Sequence, residues 1–253
     1  MPLLALALTG ATACEFGSDD GKDTSSVSSD RPSDPGDQGG EEDKGGKGGK
    51  GGKGGASGTG GEPATAEQLT SALLTAQEIP AGYTAQDAVV PDSADPDDVV
   101  SDAACGILVG DEMNEGARAQ MEREYTKDGT GSAGEDQDSV TIGLTSADHG
   151  VLKKKLDAYT KALRACSSFE VTNGNDSFGF EIANVRTGRN GADSVAYDLT
   201  YLSEGKVVAY GRHVVVLEGS TGMSVQAFSL DAMPDEPTRF VTGQLQKVRE
   251  IGN

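Results

Sequence analysis

Val195-Ala196-Tyr197-Asp198-Leu199-Thr200-Tyr201-Leu202-Ser203-Glu204-Gly205, with the valine-rich stretch Val207 to Val216 behind it, is the stretch that decides the fold. Val195, Tyr197, Leu199 and Tyr201 recur at every second position, the period at which an extended strand returns side chains to one face. Ser203-Glu204-Gly205 is a turn signal, and the chain after it reads as a second strand. Gly219 to Gly222 leads in turn to Met223, Val225 and Ala227. Upstream, Phe169 and Val171, the turn Asn173-Gly174-Asn175-Asp176, and Phe178, Phe180 and Ile182 repeat the pattern, joined to it by a loop around Gly188 and Gly191. Successive strands separated by short turns imply an antiparallel meander.

Helical periodicity flanks these strands. Thr65-Ala66-Glu67-Gln68 offers Thr65 as N-cap and Gln68 as its capping-box partner, and Leu69, Ala72, Leu73 and Ala76 follow at helical spacing until Pro80 and Gly82 stop the helix. Ala117, Ala119, Met121, Arg123 and Tyr125 alternate as a strand whose hairpin partner is Val140, Ile142 and Leu144, with a Gly-Thr-Gly-Ser-Ala-Gly loop between them. Thr145 and Asp148 can form a capping box for the longest helix, whose inner face is Leu152, Leu156, Tyr159, Leu163 and Cys166. Pro237 suits the first turn of a final helix striped by Phe240, Val241, Leu245 and Val248. Helices bracketing antiparallel strands give an α+β domain, a meander sheet with helices packed on it.

That domain occupies residues 62–253. The first thirteen residues read as a signal peptide: an apolar run from Leu3 to Leu8, then the small residues Ala11, Thr12 and Ala13 before Cys14. The segment resembles the bacterial lipobox, which implies that Cys14 carries a diacylglyceryl thioether and holds the protein on the outer face of the cell membrane. Ala11 stands where the lipobox usually has Leu. Two acyl chains suffice for stable attachment, whereas so short a run cannot span a bilayer as a helix. Residues 14–61 then form an anchor and tether, acidic from Glu15 to Asp43 and Lys-Gly-Gly-rich from Lys44. With almost nothing apolar to bury, this tether is expected to be a disordered coil with a span of about 35–40 Å. Lys44, Lys47, Lys50 and Lys53 offer a second role, contact with anionic lipid or wall polymer.

The chain has 253 residues and a formal net charge of −20. From Glu62 onward, 31 acidic residues face 15 basic ones, which argues against nucleic acid as a partner because phosphate binding needs the opposite sign. Asp92, Asp95, Asp97, Asp98 and Asp102 lack the spacing, central glycine and terminal glutamate of a calcium-binding EF-hand and read as a solvated turn cluster. With Cys14 assigned to lipid, Cys105 and Cys166 remain. Outside the cytoplasm they should form a disulfide, closing a loop of about 60 residues with roughly 4 kcal/mol of stabilisation. The alternative is two buried thiols. Zinc is disfavoured by the lack of CxxC or paired histidines, and no metal or cofactor is expected.

Only two histidines can serve acid–base chemistry: His149, expected exposed in the first turn of the long helix, and His213, expected outward on its strand beside Arg212. No Gly-x-Ser-x-Gly elbow, Walker loop or dinucleotide fingerprint accompanies them, so no catalytic residue is assigned.

Leu73-Leu74-Thr75-Ala76-Gln77-Glu78-Ile79-Pro80-Ala81-Gly82-Tyr83 resembles the opening of the sensor-like extracellular domains of actinobacterial lipoproteins and PknH-type receptor kinases. Cys105, a strand pair, a helix ending at Cys166, a meander and a terminal helix continue the likeness over Thr65 to Ile251. The resemblance implies a cystine-stapled domain with a cleft, an unknown ligand and no established catalysis. That family usually carries further cysteines, and this chain lacks them, so a second bridge is not expected here. The functional expectation is an anchored domain that binds or senses a ligand. An accessory subunit of an envelope protein assembly is the alternative, and a hydrolase a remote one.

Overall fold

The computed structural model describes residues 61–91, 97–109, 116–128, 138–174, 176–191 and 193–251. Cys14, the signal segment and the tether as far as Gly60 lie outside the described residues, as do Asp92 and Asp95 of the acidic turn.

In chain order the elements are α1 (Ala66–Ala72), β1 (Tyr83–Ala85), β2 (Val99–Val100), a 3-10 helix (Ala103–Leu108), β3 (Ala119–Lys127), β4 (Ser139–Ser146), α2 (His149–Ala165), β5 (Ser168–Asn173), β6 (Asp176–Thr187), β7 (Ser194–Ser203), β8 (Lys206–Glu218), β9 (Thr221–Ser229) and α3 (Thr238–Ile251). All nine strands join one antiparallel sheet in the order β1-β3-β4-β9-β8-β7-β6-β5-β2. The meander β5 to β9 therefore closes onto the first hairpin through β4, and both sheet edges are strands of three residues or fewer. Short edges leave little backbone exposed for pairing with another chain. At the turn between β7 and β8, Glu204 and Gly205 both have positive φ, 52° and 71°. This is the backbone a tight hairpin needs, and Gly205 adopts it without steric cost.

Alternation along the strands divides the core between the two faces. On one face α1 and α3 cover Met121, Tyr125, Val140, Ile142, Leu144, Met223, Val225, Val214 and Val216. On the other, α2 covers Val195, Tyr197, Leu199 and Leu217. Beside it, Cys105 and Cys166 are bonded to each other and packed on Phe169 and Val171. β7 runs between the layers, and every residue from Ser194 to Leu199 is buried.

Two helix boundaries differ from the sequence expectation. The long helix starts at His149, not at a Thr145 capping box, because Thr145 and Ser146 stay in β4 paired with Gly222 and Thr221. Asp148 holds the N-cap position without a side-chain bond. The Thr65–Gln68 capping box is present, but α1 ends at Ala72 and does not reach Ala76. Gln244 of α3, fully buried, donates to the Ala72 carbonyl at 2.7 Å and accepts from Leu74 N–H at 3.1 Å. This tertiary cap meets backbone groups that a helix end would leave orphaned, and the turn beyond is held by Glu78, which accepts from Thr75 N–H.

Candidate ligand-binding cleft and its polar neighbours

After β9 the chain runs Asp231-Ala232-Met233-Pro234-Asp235-Glu236-Pro237 before entering α3. Pro234 and Pro237 lack amide donors, which suits a segment that joins neither sheet nor helix. This segment, Tyr83 and the ends of β3, β4 and β9 bound a cleft of about 620 Å³. Its apolar wall includes Tyr83, Val140, Met233 and Phe240, with the Tyr83 ring set edge-on to Phe240 at 5.1 Å. Its polar wall includes Lys127, Asp138, Ser229 and Glu236. Lys127 donates to Asp138 at 2.8 Å. Desolvation raises the Asp138 carboxyl, but the Lys127 and Ser229 hydrogen bonds outweigh it and leave the group below its ordinary value. The lining is more polar than apolar, so any ligand held there would be fixed mainly through the Lys127–Asp138 pair and its polar neighbours.

Glu236 links this cleft to a charged cluster further across the same sheet face. Its Oε1 lies 2.9 Å from Arg186 Nη1 and 3.2 Å from Arg189 Nη1. Arg186 also approaches Asp198, at 3.9 Å, and Arg212 Nε lies 3.2 Å from Asp198 Oδ1. Asp198 is 4 % exposed and accepts from Asn184 Nδ2 at 2.7 Å. Asn184 reaches it from the bulge in β6, where its φ is 52°. The register explains the rest: Asp198 pairs with Arg212 in β8, and Arg186 pairs with Ala196 two residues away.

On the opposite face the same strands align Tyr197, His213 and Gln226 as cross-strand neighbours. His213 therefore departs from the outward, solvated position expected for it. Its ring stacks on Tyr197 at 4.7 Å, and Tyr201 Oη lies 3.4 Å from Nε2. Gln226 donates to Tyr201 at 3.0 Å, and the Tyr159 and Tyr197 hydroxyls share a bond of 2.6 Å. A Cβ on Gly211 would stand 2.9 Å from His213 Nε2, so glycine there leaves room for the ring. Burial pushes His213 down to about 4, and it pushes the Tyr159, Tyr197 and Tyr201 hydroxyls up. The cluster is neutral at physiological pH, and among the described residues its side-chain contacts are hydroxyl, imidazole and amide groups.

His149 also differs from expectation. It is partly buried, with Nδ1 2.6 Å from the Gly219 carbonyl, and ties the start of α2 to the turn before β9. Asp98 accepts from Asn173, and Asp102 caps the 3-10 helix through Ala104 N–H. Among the described residues no cluster of three or more His, Cys, Asp or Glu side chains is arranged to hold a metal. Cys105 and Cys166 meet as expected, with Cα atoms 5.9 Å apart. The sequence reading missed Asp198, Arg186 and Arg212. The available signal was Asp198 itself, an acid inside an apolar alternating strand with Arg212 on the strand that follows.

Searches of protein-family models and of curated proteins gave no match for this chain. Solved structures did match. The chain shares its fold with the extracellular domain of PknH from Mycobacterium tuberculosis. The superposition covers 76 % of this chain and all of that one, with a TM-score of 0.59 and 14 % identity. Two further structures align less well: an Rv0999 ortholog from Mycobacterium smegmatis, with 11 % identity over 70 % of this chain and 93 % of its own and a TM-score of 0.34, and CalU16 from Micromonospora echinospora, with 12 % identity over 53 % and 81 % and a TM-score of 0.27. At 14 % identity, the likeness to the PknH domain is one of fold.

Proposed function

We propose that this chain is an extracytoplasmic lipoprotein, anchored through a diacylglyceryl group on Cys14, whose folded domain binds a ligand in the cleft beneath the 231–237 segment. The cleft carries the reading, because it combines an apolar wall with the fixed Lys127–Asp138 pair. Two observations support a location outside the cytoplasm: the Cys105–Cys166 disulfide, a bond that persists in oxidising compartments, and the fold shared with an extracellular domain.

The test is native mass spectrometry of the protein isolated under mild conditions from the surface of cells that make it, beside an Ala232→Trp variant that fills the cleft. A non-protein adduct on the native protein that is absent from the variant is the expected result. An adduct-free native protein, or an adduct retained by Ala232→Trp, contradicts the cleft reading.

A further inference from the structure

Arg186, Arg189 and Arg212 surround Asp198 and Glu236, which leaves one positive charge in excess within a chain of net charge −20. Arg186 Nε is buried without a hydrogen bond, and the buried Arg212 Nε faces Asp198 Oδ1 at 3.2 Å without hydrogen-bond geometry. Arg212 makes no hydrogen bond among the described residues, yet its side chain is 26 % exposed, so part of the guanidinium faces solvent. Two hydroxyls stand next to it. Thr200 and Tyr210 pair with each other one alternation beyond the Asp198–Arg212 pair, on the same sheet face, and neither hydroxyl has a partner among the described residues.

A planar guanidinium matches a carboxylate through two parallel N–H···O bonds. This group of arginines already accommodates one such anion, since Glu236 bridges Arg186 and Arg189. An excess of a single positive charge suits a monoanion better than a doubly charged phosphate.

We infer that Arg212, backed by Arg186 and flanked by the Thr200 and Tyr210 hydroxyls, is a subsite for a carboxylate group of the bound ligand. Glu236 belongs both to the cleft lining and to the arginine cluster, so a ligand in the cleft could extend a carboxylate toward it. The subsite deepens the ligand-binding reading and rests on it.

The test uses the full chain with Cys14→Ala, free of membrane, and follows the arginine Nε–Hε NMR resonances during titration with sodium acetate at constant ionic strength. A parallel arm uses inorganic phosphate. The expected result is a saturable shift of the Arg212 and Arg186 signals with acetate, weakened at least about tenfold by Arg212→Gln and roughly fivefold by Tyr210→Phe. Linear, unsaturable shifts overturn the subsite, and tighter binding of phosphate overturns its assignment to a carboxylate. If Arg212→Gln does not fold, Tyr210→Phe decides alone, because its hydroxyl bonds nothing among the described residues: unchanged acetate affinity in that variant overturns the proposal. A blank acetate titration with the native adduct still present removes the subsite and leaves the cleft reading standing. A saturable acetate response without any adduct does the reverse.

Discussion

Two polar clusters lie back to back on β7 and β8, and they resolve burial in different ways. On the α2 side, Tyr159, Tyr197, Tyr201, His213 and Gln226 form a neutral set joined by hydroxyl, imidazole and amide contacts. On the other side, Asp198, Arg186 and Arg212 form a charged set held by ion pairs, in which the buried Arg186 Nε makes no hydrogen bond. A neutral network can lie beneath a helix because its members satisfy one another without desolvating an ion. A charged one cannot be covered at the same cost, and here both guanidinium side chains keep contact with solvent, 32 % and 26 % exposed. The difference is one of charge, since His213, Tyr201 and Gln226 are themselves only part-buried.

The sharpest way to break this contrast is to remove the one carboxylate at the centre of the charged set. Asp198→Ala leaves Arg212 without its ion-pair partner, while Arg186 keeps Glu236, and should cost about 3 kcal/mol, read as a fall in melting temperature. A loss below about 1 kcal/mol would mean that solvent already screens the cluster.

On the neutral side the test is acid. Burial holds His213 at about 4 in the folded state against 6.5 for the free side chain, so the unfolded chain takes up the proton first. The stability linked to His213 is complete above pH 6.5 and drains away as pH falls toward 4, by about 3 kcal/mol at most. Denaturant midpoints for wild type and His213→Phe should converge over that window. Parallel curves would place the ring in solvent.

Tyr159→Phe deletes one partner of the buried hydroxyl pair and should cost about 1–2 kcal/mol in chemical denaturation, with no change in the His213 titration.

The smallest effect lies at the surface. The Lys247 ammonium, followed by the Thr75 amide, holds Glu78 at about 2, so the linked stability is present above pH 4.5 and is lost as pH falls toward 2. Lys247→Ala should move the Glu78 carboxyl upward in an NMR titration while costing no more than about 1 kcal/mol, because the carboxylate is 42 % exposed.

Much of the architecture was legible because period-two alternation is strong in β7, β8 and β9, and because Thr65-x-x-Gln68 is a local signal read without tertiary context. The disulfide partners were legible by elimination. The end of α1 was not, since its last carbonyl is met by Gln244, 172 residues away. Thr145 misled because a capping sequence and a strand end look alike until β9 claims the backbone. His213 misled for a related reason: a polar residue in a strand reads as outward unless its cross-strand neighbours are known, and here they are Tyr197 and Gln226. Asp198 was hidden by coverage of both faces of β7, which alternation alone does not reveal.

The proposal of an anchored, cystine-stapled domain held outside the membrane is tested most directly by the intact mass of the protein purified from membranes, taken before and after reduction. The predicted result is a chain beginning at Cys14 that carries a diacylglyceryl group and gains two hydrogens on reduction of the Cys105–Cys166 bond. An unprocessed chain with three free thiols would contradict it.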